Sequence, residues 1–136
     1  MSYQILKGWP HEGALDIVAA PAAASPATNG TVGYLKDDGT MALVNYAANA
    51  ADNALMPLFC FDTDTLASKV VGLASPAVIK IDSTMYDSGT YTPNVPLTVK
   101  AGKFANLAGT ERTVGRVISR NATTGDMIIA FFGVIG

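Results

Sequence analysis

The chain has 136 residues, a formal net charge of −2 and only 15% charged residues, well under the roughly 25% of an ordinary soluble domain. That length allows one domain, or one domain with an appendage, and the charge balance gives no global field toward nucleic acid or an acidic membrane. Cys60 is the only cysteine and His11 the only histidine, which excludes an internal disulfide and a zinc-binding pattern. With 49% hydrophobic residues and few charges, the surface is expected to be partly buried against other chains.

Residues 1–30 stand apart by composition. "GALDIVAAPAAASPATNG" is alanine-rich and broken by Pro21 and Pro26, after an earlier break at Pro10. Prolines remove N–H donors and push their preceding residues toward extended backbone. The segment reads as an extended N-terminal arm, with a short turn of helix near Ala14–Ala20, whose apolar Trp9, Leu15 and Ile17 are to be covered by a partner. The N-terminus has no charged region followed by a long apolar run, so no signal peptide is expected. The longest apolar run, Met127 to Ile135, is too short to span a bilayer as a helix.

From residue 31 to residue 136 the pattern is that of a single β-rich domain. "TVGYLKDDGTMALVNY" is two runs around Asp38-Gly39, a strong hairpin signal. "NAADNA" (49–54) is the place for a loop or a single helical turn. "ALMPLFCFD" predicts a strand near Leu58–Asp62, and "KVVGLASPAVIKID" one or two more, interrupted by Gly72 and Pro76. "PLTV" and "TVGRVIS" follow, and "NATTGD" turns the chain into "MIIAFFGVI". That run is apolar on both faces, so it should be a central strand, a barrel-closing strand, or one covered by a neighbouring chain through Phe131 and Phe132. Short strands at close spacing predict an all-β fold, mainly antiparallel, as a small barrel or sandwich. No internal repeat is visible.

Chemistry is sparse. A Cys60–His11 nucleophile pair would need the arm to fold back and a third group to orient the imidazole. Cys60 between Phe59 and Phe61 reads instead as a small buried apolar residue. Asp62 and Asp64 have the alternate spacing that opens a calcium loop, but Ala67 and Leu73 stand where its glycine and last acidic ligand belong. Neither a dinucleotide-binding nor a Walker pattern occurs. Residues 100–120 carry Lys100, Lys103, Arg112, Arg116 and Arg120 against Glu111 alone, with the three arginines expected to share a strand face with Val114 and Ile118. Only Phe104 lies nearby to stack a base, so this reads as a solvated face or a rim toward an acidic partner. Asn29 and Asn121 match the glycosylation acceptor pattern and read as turn residues. No enzyme activity, cofactor or metal is expected.

"MYDSGTYTPNVPLTVKAGKFANLAGTERTVGRVISRNATTGDMIIAFF" is, physically, a turn, a proline-limited strand, a tight Ala101-Gly102 turn and further strands. The order "Y-T-P…P-L-T-V-K-A-G-K", "V-G-R-V" and a final apolar strand resembles the C-terminal half of small decoration (cement, or head-stabilising) proteins on the capsids of tailed bacteriophages. The resemblance covers roughly residues 84–136, and more loosely the hairpin at 31–46. Phe104 stands where a leucine is usual, and the arm has no matched counterpart. The resemblance implies a non-enzymatic β-rich protein, made in the host cytoplasm, that sits as an oligomer on the capsid exterior of the virion and braces the shell. Its implied partner is the major capsid protein; the low charge and the two-faced apolar strand Met127–Ile135 further predict self-association, as a homotrimer ahead of a homodimer, and the net charge predicts no nucleic acid and no membrane partner. The rival readings are a β-sandwich carbohydrate-binding module, with Tyr86 and Tyr91 as a small platform, and another virion component of the tail or connector.

Overall fold

Alternation of apolar and polar residues, punctuated by turn sequences, gives eleven strands among the described residues of a computed structural model. It describes residues 3–8, 17–23, 27, 28, 30–64 and 69–135. In chain order they are β1 (Tyr3–Gly8), β2 (Ile17–Pro21), β3 (Val32–Leu35), β4 (Met41–Leu43), β5 (Leu58–Asp64) and β6 (Lys69–Leu73). Then come β7 (Ala77–Ile81), β8 (Pro96–Lys100), β9 (Lys103–Asn106), β10 (Gly115–Arg120) and β11 (Met127–Phe131). Short 3-10 turns occupy Ala50–Ala54 and Gly133–Ile135, the first of them where the single helical turn was expected.

The strands form two antiparallel sheets, one of six strands in the order β1-β7-β11-β10-β8-β9 and one of five in the order β2-β6-β5-β3-β4. The fold is a sandwich, not a closed barrel. Period-two alternation directs Phe59 and Leu73 of one sheet, and Ile79, Ile129 and Phe131 of the other, into the shared core. Phe59 ties the layers, its ring centroid lying 6.2 Å from Phe104 and from Phe131. Leu58 and Cys60, which alternate with Phe59, point the other way into a smaller cluster with Ala20, Ala27, Met41 and Val70. The five-stranded sheet curls around that cluster, with Ala22 bridging to Met41 on β4.

The hairpin at Asp38-Gly39 is present, with one change from expectation. The Gly39 N–H donates to the Lys36 carbonyl at 2.9 Å, and only Gly39 (φ 84°), not Asp38, has a positive φ. The turn is therefore type I followed by a left-handed glycine. At Ala101-Gly102 both residues have positive φ, 48° and 82°, giving the tight reversal from β8 into β9.

The division at residue 30 is corrected by the pairing. β1 is hydrogen-bonded to β7 and β2 to β6, so residues 3–8 and 17–21 are edge strands of the two sheets and not a separate arm. The helical turn placed near Ala14–Ala20 is, over Ile17–Pro21, a strand. A short alanine stretch nucleates helix poorly in isolation, whereas a ready sheet edge satisfies its backbone at once. Pro21 ends β2, a position at which a missing N–H costs no ladder bond. Tyr3 of β1 meets Phe59 edge-on at 5.5 Å, reaching the main core.

Gly72 does not interrupt a strand. It sits inside β6, where a side chain would collide with Leu58 Cβ at 2.8 Å. The arginine face is also rearranged. Val114 is buried ahead of β10, while Arg116 and Ile118 point to solvent and a bulge between Val117 and Ser119 shifts the alternation.

Candidate functional site

Of the candidate residues named from the sequence, those that the structure describes do not gather. Trp9 and Leu15 lie outside the described residues, as does His11. Ile17 stands on β2 and is 54% exposed. Phe131 is only 1% exposed, so its place among interface residues is overturned. The physical reason is that β11 is the third strand of six, flanked by β7 and β10, and sends Met127, Ile129 and Phe131 into the core. Phe132 is half-buried, its N–H donating to the Val114 carbonyl at 2.8 Å.

Cys60 is wholly buried, and burial pushes its thiol up to about 12. Backbone of Asp62 and Asp64 lies in β5, and their side chains are outside the described residues. Among the described residues no three His, Cys, Asp or Glu side chains gather as a metal site requires. Asn121 is the turn residue expected, its Oδ1 accepting from the N–H groups of Thr123 and Thr124 at 2.9 and 3.2 Å. Tyr86 and Tyr91 are buried as an edge-to-face pair with centroids 4.9 Å apart, so they form no exposed platform.

What the fold does assemble is an apolar groove on the open side of the five-stranded sheet. Val18 of β2, Tyr34 and Leu35 of β3, Leu58 of β5 and Ala74 form its floor and one flank. Ala54, the last residue of the first 3-10 turn, and Leu55 and Met56 beyond it form the other flank, with Val134 completing the lining. No charged residue lines it. Leu35 is 46% and Met56 59% exposed, so the groove holds two of the most exposed large apolar side chains described.

The flank is fixed by hydrogen bonds. The Leu55 carbonyl accepts from the Tyr46 hydroxyl at 2.6 Å and from Arg112 Nη1 at 3.0 Å. Arg112 Nη2 reaches the Val134 carbonyl at 3.4 Å, and the Arg112 N–H donates to Asn53 Oδ1 at 3.0 Å. Asp52 Oδ2 accepts from the Asn45 N–H at 2.9 Å. Arg112, read from the sequence as part of a cationic face, thus ties the Leu55 flank of the groove to Val134. Burial raises the Tyr46 phenol above its usual range, so it stays a donor at ordinary pH.

Leu35, Met56 and Val134 were not singled out from the sequence. One signal was available for Leu35: it follows Tyr34 where the alternation of β3 would place a polar residue. Met56 and Val134 carry none, since their partners are brought together only by the tertiary fold. Comparison with known protein families and with curated proteins finds no match to this chain.

Proposed function

We propose that the protein is a structural virion protein that binds the outer surface of a phage capsid lattice as an oligomer and stabilises it. The observation that carries this reading is the uncharged groove with Leu35 and Met56 exposed, a surface suited to being buried. The resemblance of residues 84–136 to capsid decoration proteins supplies the partner, and that stretch builds β8 to β11, four of the six strands of the larger sheet. On this reading the protein acts without turnover or cofactor, at the capsid exterior, with the major capsid protein and its own copies as partners. The burial of Tyr86 and Tyr91 counts against the carbohydrate-binding alternative.

Full burial of a leucine- or methionine-sized side chain is worth about 1.5–3 kcal/mol. On this reading the test is co-sedimentation with undecorated capsids assembled from the major capsid protein of the same phage, followed by thermal melting of the decorated shells. The native chain should bind and raise the melting temperature, and Leu35→Asp with Met56→Asp should abolish both effects. Failure of the native chain to bind or stabilise such capsids would sink the proposal.

A further inference from the structure

The two sheets present four edge strands, and the chain treats them differently. On β4 the edge is covered by the Ala22 bridge and by the Ala23 N–H, which donates to the Met41 carbonyl at 3.0 Å. On β9 residues 85–87 do the same: the Asp87 N–H donates to the Phe104 carbonyl at 2.8 Å, and the Phe104 N–H to Met85 at 3.1 Å. β1 is blunted by a register shift between Ile5 and Lys7. Bulges are a common device against edge-to-edge pairing. β2, Ile17-Val18-Ala19-Ala20-Pro21, has no charge and no register shift; β6 is its sheet neighbour on one side, and on the other only its continuation, Ala22 and Ala23, meets β4, which leaves Ile17 to Ala19 without a strand on that edge among the described residues.

We infer that β2 pairs antiparallel with β2 of a second copy about a twofold axis at Val18, making the protein a dimer with one sheet running through both copies. The backbone direction defines the register. Ala23 points its N–H away from β6, toward Met41. Counting back by twos along the strand, Ala19 and Ile17 also direct their N–H and C=O groups outward. A twofold perpendicular to the sheet pairs residues of equal parity, so centring on Val18 sets Ile17 opposite Ala19 of the other copy. Four hydrogen bonds then form, two from Ile17 N–H groups and two from Ala19 N–H groups, and Pro21, with no N–H, is not required.

The side chains fit the same register. Every residue of the strand is apolar, so no like charges oppose each other. Ile17, 54% exposed in the single chain, comes to lie beside the small Ala19 of its partner. The two Val18 side chains face each other at the close spacing of a non-hydrogen-bonded pair. Val18 lines the apolar groove, so the pairing joins two grooves into one trough across the axis. A second copy is the occupant that this geometry selects, and the twofold makes a dimer where the sequence had placed a trimer first. The inference extends the oligomer of the proposed function, but it is measurable on the free protein.

Ala19→Pro deletes an outward donor without touching the β6 ladder. Loss of one donor from each copy should weaken dimerisation about 30-fold by sedimentation equilibrium, with an unchanged circular dichroism spectrum. Independently of that variant, Val18→Cys should form a disulfide-linked dimer under mild oxidation. Ile118→Cys, exposed on the other sheet, should not, and native Cys60 is too buried to compete. A native chain that is monomeric or trimeric at micromolar concentration, or a dimer that survives Ala19→Pro, or no Val18→Cys cross-link, overturns the inference. Capsid binding by a dissociated Ala19→Pro chain would leave the capsid reading standing. An intact dimer that ignores capsids would sink that reading and leave this one.

Discussion

Gly102 joins the two layers of the sandwich, and replacing it with alanine should cost stability through both its backbone conformation and its packing. Its carbonyl accepts from the Val32 N–H at 2.8 Å, and its own N–H donates to the Val44 carbonyl at 3.0 Å, so the β8–β9 turn of one sheet is bonded to the strands of the other. Its φ is 82°, and a Cβ there would stand 2.5 Å from Leu43 Cδ2 and 3.3 Å from Thr31 Cβ. The left-handed backbone costs an L-residue about 1–2 kcal/mol. Forcing a methyl into a filled space adds about 1–3 kcal/mol. Gly39 is the natural control: its φ is +84°, but nothing lies within 4 Å of its would-be Cβ.

Gly39→Ala therefore reports the backbone term alone, and Gly102→Ala reports the backbone and packing terms together. With a urea m-value of about 1–3 kcal/mol/M, Gly102→Ala should lower the midpoint by roughly 1 M more than Gly39→Ala. Equal losses in the two variants would refute the reasoning, because the packing of the turn against Leu43 and Thr31 would then be worth nothing.

The Cys60 thiol should resist aromatic disulfide reagents in the native state and react only once urea unfolds the chain. Its ordinary value of 9.0 is raised to about 12 in the fold, so this contribution to stability is fully present below pH 9.0 and lost as pH climbs toward 12. Cys60→Ala should remove that part of the alkaline slope, and an unchanged slope would refute it. Tyr86→Phe should cost about 1–2 kcal/mol in urea melts, since the hydroxyl donates to the Gly125 carbonyl and accepts from Arg120 Nε at 3.0 Å. Asp38 Oδ1 accepts from the Thr40 hydroxyl and N–H at 2.6 and 3.0 Å, so its NMR titration midpoint should fall below 3.8, and whatever the bonds contribute should vanish as pH drops through that midpoint. Deleting residues 1–21 removes the half-buried Tyr3 from Phe59 and both edge strands, so it should lower stability by about 1 kcal/mol or more, part of the roughly 1.5–3 kcal/mol of full burial, and an unaffected urea midpoint would restore the view of a detached arm.

What could be read from the sequence was what is decided locally. The Asp38-Gly39 reversal, the Ala101-Gly102 turn and the strand Met127–Phe131 depend on turn chemistry and on alternation within a few residues. The edge strands are different. Ile5 pairs with Ile79 and Ala19 with Val71, partners more than fifty residues away, and nothing within "IVAAP" distinguishes an edge strand from an alanine-rich tail. The same limit explains Phe131. An apolar run shows that both faces avoid water, but not whether a neighbour in the sheet or a second chain covers them. Arg112 was misread for a related reason: its partners are carbonyls of Leu55 and Val134, and backbone acceptors leave no trace in a sequence.

A surface that functions by being buried gains most when it is already ordered before its partner arrives, because each side chain immobilised on binding costs about 0.5–1.5 kcal/mol. The groove meets that condition along its flank, where Tyr46 and Arg112 both hold the Leu55 carbonyl and Arg112 also holds Val134. Leu58, in its floor, is packed into the smaller core with Cys60 and Met41. Met56 is the exception, 59% exposed and unbranched, and a thioether side chain adapts its shape to what it meets. A rigid, uncharged wall with one adaptable side chain at its lip suits contact with a surface repeated many times under slightly different local geometry. On the capsid-binding proposal, that is what a protein seated on a curved lattice would meet, where neighbouring copies of one shell protein are related only approximately.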